Sequence, residues 1–316
     1  RAAGVGRAAL GADAGREAEA PPRNRPTAVP EGVRWLRDIP YAEGGTKAQM
    51  LDLYIPEQGA APFPVIVWIH GGGWMQGNRF PAPGAWLSAH GYAVAAISYR
   101  FSTEAIFPAQ IHDCKGAIRW LRANASRYPL DGRRIGALGE SAGGHLAALL
   151  GTSGGVEELE GDVGGNREQS SRVQAVCNCF GPADLTPLVS DADPYRTLHP
   201  QSRAFAKRTI EQLLGADGDW RTRAKSASVA TYITPDDPPF LIVHGDQDPL
   251  VPIEQSRALH AALHRAGVPV ELLVMEGRGH VFFDDRSVRK RIQQFFDAHL
   301  KNTAAAAPDG LRGAPE

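Results

Sequence analysis

A series of short apolar runs, spaced along the chain and bounded by turn-forming residues, constrains its fold most. PVIVWIH (64–70), YAVAAISY (92–99), RRIGALG (133–139), VQAVCNCF (173–180), PFLIVHG (239–245) and VELLVME (270–276) are of this kind. A strand covered on both faces has no polar side to show, so it reads as a continuous apolar run. Helix-like spacing separates several of them. Ile111, Cys114, Ile118, Trp120 and Leu121 lie at helix-like spacing within 109–124, and 253–266 and 286–300 read the same way. This alternation predicts an α/β fold: a mainly parallel sheet with helices on both faces. QMLDLYI (49–55) alternates instead, which predicts a half-exposed strand with Leu51, Leu53 and Ile55 on one face, as an antiparallel edge.

One stretch breaks the pattern. Residues 184–236 are long, polar and proline-containing, and are expected to form a helical insertion, a cap or lid, between two core strands. Residues 152–171 read as an exposed glycine-rich loop. Residues 1–30 and 301–316 carry few large apolar side chains and are expected to be disordered or flexible tails. The folded domain is therefore expected to span 31–300.

Bulk composition narrows the function classes. Of 316 residues, 43% are hydrophobic and 22% charged, with a net charge of −1. That balance offers no basic face for nucleic acid, and no apolar run reaches the roughly 20 residues of a membrane span. Three cysteines, Cys114, Cys177 and Cys179, are too few for a disulfide framework, and their spacing does not suggest a metal site. They are expected to be small buried side chains. Oligomeric state is not readable from the sequence.

RRIGALGESAGGHLAALLG places Ser141 where a strand runs into an Ala/Leu-rich helix. A serine at such a corner has strained backbone angles, and Gly139 and Gly143 on either side must be small. The turn lifts the hydroxyl above the sheet and aims a helix N-terminus at it. A serine hydroxyl also needs a base, an orienting carboxylate and donors for an oxyanion. IHGGGWMQGN (69–78) follows a core strand, and its glycines let backbone N–H groups point into a cleft. Gly72 and Gly73, with Ala142 after the serine, are the candidate donors. His70 is expected to fix this loop by hydrogen bonding.

The acid is expected in HGDQDPLVP, on a loop that leaves the carboxyl edge of the sheet, the rim that carries Ser141. Asp246 directly follows Gly245 and suits a turn; Asp248, before Pro249, suits the reaching role. Asp236 and Asp237 precede their strand and face the other edge. Of ten histidines, His280 in MEGRGHVFF both follows Asp248 and lies on a rim loop. His145, one helical turn after Ser141, would have to curl back to reach it. His112, His260, His264 and His299 fall in predicted helices, His90 lies near the opposite edge, and His199 belongs to the insertion. His244 ends a strand and is expected to pack or serve a turn.

Taken together, HGGGW, GESAGGHLA, HGDQDPLVP and GRGH in this order resemble the α/β-hydrolase esterases. The nearest groups are the hormone-sensitive-lipase-like carboxylesterases and the bifunctional carbohydrate and feruloyl esterases. The resemblance covers roughly residues 31–300, and includes YRFSTEAIFPAQIHDCKGAIRWLR (99–122), where Arg100 and Asp113 read as structural. Glu140 leans toward the second group, since the first more often carries Asp there. Ser141 excludes relatives with a cysteine nucleophile. Prolyl-peptidase-like relatives lack this HGGG loop, and kynurenine formamidases usually interrupt the glycine run with an aromatic residue.

The resemblance implies a serine carboxylesterase working through an acyl-enzyme, with Ser141, Asp248 and His280 as triad and neither metal nor organic cofactor. The expected partner is a small-molecule or carbohydrate ester, with acetyl and feruloyl esters of plant polysaccharide and small alkyl or aryl esters all open. An amide-type hydrolase on the same triad is the alternative, and a non-catalytic binding module the third reading. Trp74 either lines the substrate pocket or packs beneath the insertion, and Glu140 is a candidate for the pocket wall. A hydrolase of plant-polymer esters would be exported, to the periplasm or beyond, and a chain that begins with Arg is compatible with a removed leader.

Overall fold

The computed structural model describes residues 29–186, 198–215 and 219–301. The two expected tails fall almost wholly outside these residues, as do parts of the 184–236 stretch. The strands, in chain order, are β1 (Val33–Pro40), β2 (Met50–Pro56), β3 (Phe63–Ile69), β4 (Ala93–Ile97), β5 (Leu130–Glu140), β6 (Ala175–Cys179), β7 (Phe240–Gly245) and β8 (Val270–Met275). They form one eight-stranded sheet in the order β1-β2-β4-β3-β5-β6-β7-β8. β2 pairs antiparallel with both β1 and β4; every other pairing is parallel.

Helices cover both faces. On one side lie α1 (Ala109–Ala123), α2 (Ala142–Thr152) and, after the short α3 (Glu157–Glu160), α6 (Ile253–Arg265). On the other lies α7 (Arg286–Phe296). The alternating residues of β3 show why its sequence is apolar throughout. Val65, Val67 and Ile69 pack under α1 and α2, whereas Ile66 and Trp68 pack on the α7 side. Between β6 and β7 come α4 (Pro200–Leu214) and α5 (Trp220–Ser226), whose Ile210, Leu213, Leu214 and Ala224 join the first of these cores. Among the described residues no helix is long and apolar enough to cross a membrane.

Two local expectations need correcting, and one strand carries no pattern in the sequence. β2 is antiparallel but not an edge, since β1 lies outside it, and both its faces are buried, Leu51, Leu53 and Ile55 in one core and Tyr54 in the other. Its polar Asp52 is accommodated by donors from β1 and beyond: Trp35 Nε1 at 3.1 Å, the Asp38 amide at 3.0 Å and Arg79 Nε at 2.8 Å. β1 itself, VRWLRDIP, carries no readable strand pattern, since its charged residues face solvent at the rim of the sheet. The 152–171 loop is not simply exposed. Buried Lys115 of α1 donates to the Ser153 carbonyl at 2.6 Å and to Glu160 at 2.7 Å, and Arg119 donates to the Glu160 carbonyl at 3.0 Å. All three cysteines are buried and unbridged.

The topology decides where a site can form. The chain leaves β3, crosses to β4 on one side, and returns to β5 on the other. At such a switch point the loops beyond the carboxyl ends of the strands diverge and leave a crevice. The loop after β3 and the corner after β5 open onto it. Ile69 pairs with Gly139, so both segments leave the sheet at the same height.

Candidate active site

Ser141 stands between β5 and α2 with φ 53° and ψ −121°, a left-handed conformation for a residue with a side chain. Two close approaches explain the flanking glycines. A Cβ on Gly139 would lie 2.1 Å from the Gly143 carbonyl oxygen, and one on Gly143 would lie 2.1 Å from that of Ile69. The corner is held by the Ser141 amide, which donates to the Cys179 carbonyl at 2.9 Å. Ala142 opens α2, whose first amides have no partner within the helix, and Ala142 carries the positive end of the helix dipole.

β7 and β8 deliver the other two residues. Gly245 pairs with Met275, so the loops that follow start side by side. His280 Nε2 lies 3.0 Å from Ser141 Oγ, and His280 Nδ1 lies 2.6 Å from Asp248 Oδ2. Asp248 Oδ1 accepts the Leu250 amide at 2.8 Å and the Val251 amide at 3.0 Å. Burial pushes the Asp248 carboxyl upward. Hydrogen bonds from His244 and His280, the charge of His280 and the Val251 amide outweigh it, and the group is held well below the usual carboxylate range. Asp246 does not cap its own turn but ties it to the loop after β8, accepting the Gly277 amide at 2.7 Å. This arrangement can transfer a proton from the hydroxyl to the imidazole while the carboxylate holds the ring in one tautomer.

The glycine loop lies against this corner. A Cβ on Gly71 would come within 3.2 Å of Ser141 Cβ, and one on Gly73 within 2.9 Å of Thr209 Cγ2 on α4. The Gly72 carbonyl accepts the Met75 and Gln76 amides, both at 3.2 Å, which closes the loop into a turn. His70 stacks on Tyr99 at 4.5 Å and bonds through Nδ1 to the Gly71 carbonyl at 2.9 Å. Gly73, Trp74, Ser141, Ala142 and His280 line one cavity of about 40 Å³, together with Phe205, Ala206, Thr209 and Ile210 of α4. Gly72 and Glu140 are not among its lining residues. Glu140 is buried beneath the loop, with its Cγ 3.3 Å from where a Gly71 Cβ would stand.

Trp74 lines the cavity and is 2% exposed. Its Nε1 donates to His145 Nδ1 at 3.2 Å, and His145 Nε2 donates to the Ala227 carbonyl at 2.7 Å. The indole can only donate, so Nδ1 accepts and His145 is held as one neutral tautomer. His145 therefore joins the glycine loop to the segment after α5 and takes no part in contacting Ser141 by its side chain. Burial lowers its pKa from 6.5 to about 4, against a smaller upward effect of the Ala227 carbonyl. Because the folded value lies below the unfolded one, its contribution is intact above pH 6.5 and lost as pH falls toward about 4. The full loss is about 3 kcal/mol. We expect thermal melts between pH 7 and 4 to fall less steeply in His145→Gln than in the parent; equal slopes would exclude this source.

Two neighbours of the site are not among the residues that the sequence singles out for it. Phe180, at φ 45° directly after β6, sets its ring 4.6 Å from that of His280. His244, expected to pack or serve a turn, contacts Asp248 itself. Phe180 could have been found by the rule that points to the others, since it too follows a core strand at the carboxyl rim. Arg100 and Asp113, by contrast, pair with each other through Arg100 Nη2 at 2.8 Å, and Asp113 also accepts from Gln49 at 3.0 Å. Among the described residues no group of three or more His, Cys, Asp or Glu is placed to hold a metal ion.

A switch-point crevice, a strand-to-helix serine and carboxyl-rim loops that bring Asp248 and His280 to it define an α/β-hydrolase. Within that class the chain belongs to the BD-FAE family, whose model matches residues 51–263. The model of the dienelactone hydrolase family also matches residues 225–311. Esterase LipQ of Mycobacterium tuberculosis is 32% identical over 262 residues, which cover 81% of this chain and 59% of LipQ. The chain thus spans about three fifths of that relative's length. Among solved structures, a truncated carbohydrate esterase from gut microbiota superposes with a TM-score of 0.76 at 32% identity, covering 85% of this chain and 96% of that one. An acetyl ester-xyloside bifunctional hydrolase from Caldicellulosiruptor lactoaceticus gives 0.67 at 26% identity, covering 85% and 97%.

Proposed function

We propose that this chain is a serine carboxylesterase that hydrolyses short-chain esters, with acetylated carbohydrate as the substrate class. The observation that carries the reading is the Ser141–His280–Asp248 chain of contacts, at 3.0 and 2.6 Å, at the mouth of an apolar cavity. His280 takes the hydroxyl proton as Ser141 Oγ attacks the ester carbonyl. Asp248 holds the imidazole tautomer and stabilises the imidazolium. The Gly72, Gly73 and Ala142 amides receive the oxyanion. His280 then protonates the departing alcohol, and water, activated by the same imidazole, releases the acid.

Cavity size supports a short acyl group. An enclosed water needs roughly 10–15 Å³ of such space, so about 40 Å³ takes a few water-sized groups. The named carbohydrate esterase and acetyl ester-xyloside hydrolase among the structural relatives support the same class. In this reading the 184–236 insertion is a cap, with α4 as the wall of the acyl site.

The test is a substrate panel: p-nitrophenyl esters of graded chain length, acetylated xylan, methyl ferulate, N-formylkynurenine and a peptide anilide. We expect kcat/KM to be highest for acetyl to butyryl esters and to fall at least about tenfold for longer chains, the cost of crowding an added group into a packed pocket. Methyl ferulate turned over faster than p-nitrophenyl acetate would overturn the short-acyl assignment. Preference for the amide substrates would overturn the esterase itself.

A further inference from the structure

We infer that His244 is a positioning residue for the proposed triad: through Nε2–H it holds one carboxylate oxygen of Asp248 in the orientation that His280 requires. The inference rests on the serine-esterase reading and adds a fourth member to the group of side chains behind it.

His244 sits near the end of β7 and its side chain is fully enclosed. Its Nε2 faces two acceptors, Asp248 Oδ2 at 3.1 Å and the Val251 carbonyl at 2.9 Å. A nitrogen between two acceptors must carry the hydrogen, so His244 is the donor. Its Nδ1 meets the Ser256 hydroxyl of α6 at 2.6 Å. A hydroxyl can donate or accept, so it completes the ring in either state and anchors its plane to α6.

The Asp248 carboxylate is thereby surrounded. Oδ1 takes two backbone amides of its own turn, and Oδ2 takes His244 Nε2 and His280 Nδ1. The turn amides set where the carboxylate sits, but they share one oxygen and leave the group free to pivot about it. A second donor on Oδ2, from a different strand position, removes that freedom. With His244 gone, Oδ2 would keep only His280, and a buried carboxylate would lose part of what offsets its desolvation. His244 does not itself line the cavity, but its second acceptor, the Val251 carbonyl, belongs to a residue that does, so the double-mutant cycle below separates that route from the one through Asp248.

The test combines kinetics with a double-mutant cycle. His244→Phe keeps the ring and removes the donor; we expect kcat for p-nitrophenyl acetate to fall on the order of 10- to 100-fold, as for a lost hydrogen bond to a charged group, with KM within about twofold. His244→Gln places an amide nitrogen near the lost Nε2 and should recover most of the rate. His244→Asn, one methylene shorter, should not. In an Asp248→Asn background, His244→Phe should change kcat by less than about twofold, because its effect passes through the carboxylate. Equal effects of His244→Phe in both backgrounds would overturn the inference, as would equal rates for Gln and Asn. If the Phe variant does not fold, the Gln-to-Asn comparison decides alone. Labelling of Ser141 in the parent protein by a fluorophosphonate separates the two levels. A labelled parent with an additive cycle removes only the role of His244, whereas an unlabelled parent removes the esterase reading.

Discussion

Ser141→Ala is expected to abolish turnover of p-nitrophenyl acetate, with kcat lowered by on the order of 10^6-fold. The acyl-enzyme needs an oxygen at this corner, and Ser141 Oγ is the atom 3.0 Å from His280 Nε2. Without it, the imidazole can only activate water at a site shaped for attack from the serine. The residual rate would come from the amide donors and from binding. Stability should change little. Ala keeps the same Cβ at the same φ of 53°, and the hydroxyl is removed from the open side of the corner. Kinetics on purified protein, paired with a thermal melt to show an intact fold, make the measurement. A rate within tenfold of the parent would remove Ser141 as nucleophile, and with it the proposed function.

Asp248→Asn is expected to cost about 10^4-fold in kcat with little change in KM. The reason lies in who surrounds the carboxylate. All its contacts are donors: two backbone amides on Oδ1 and two imidazole nitrogens on Oδ2. An asparagine must turn its NH2 toward one pair. Backbone amides cannot change from donor to acceptor, whereas an imidazole can. The NH2 therefore faces the histidines, and His280 answers by shifting its proton to Nε2. That nitrogen then points a hydrogen at Ser141 and can no longer take the hydroxyl proton. The Asn variant should also melt lower, since its NH2 meets His244 Nε2–H as well. A loss of less than tenfold in kcat would mean that Asp248 does not set the tautomer of His280.

Some of this was legible in the chain before any coordinates. Strands covered on both faces must be apolar along their whole length, so β3 to β7 announce themselves. The positions of Ser141, Asp248 and His280 at the carboxyl rim follow, because a loop that leaves a parallel strand emerges at that edge. β1 was missed because an outer strand that carries Arg34, Arg37 and Asp38 looks like any polar segment. β2 reads as an edge because polar Asp52 and Tyr54 imitate a wet face. Their side chains are in fact covered, Asp52 by Arg79 and Tyr54 by Trp35 stacked at 5.7 Å.

What the sequence determines by itself is local: which runs are strands, which corner is too tight for a Cβ, and which loops share an edge. These depend on periodicity and on neighbours a few residues away. What only the tertiary structure decides is which distant side chains meet. Trp74 and His145 are 71 positions apart and Ser141 and His280 are 139 apart, yet both pairs touch. His244 holding Asp248 is four residues distant in sequence, and still nothing in HGDQDPLVP shows that the turn folds back to bring them together. Strand order and loop curvature set such contacts, and neither is written in the spacing of residues along the chain.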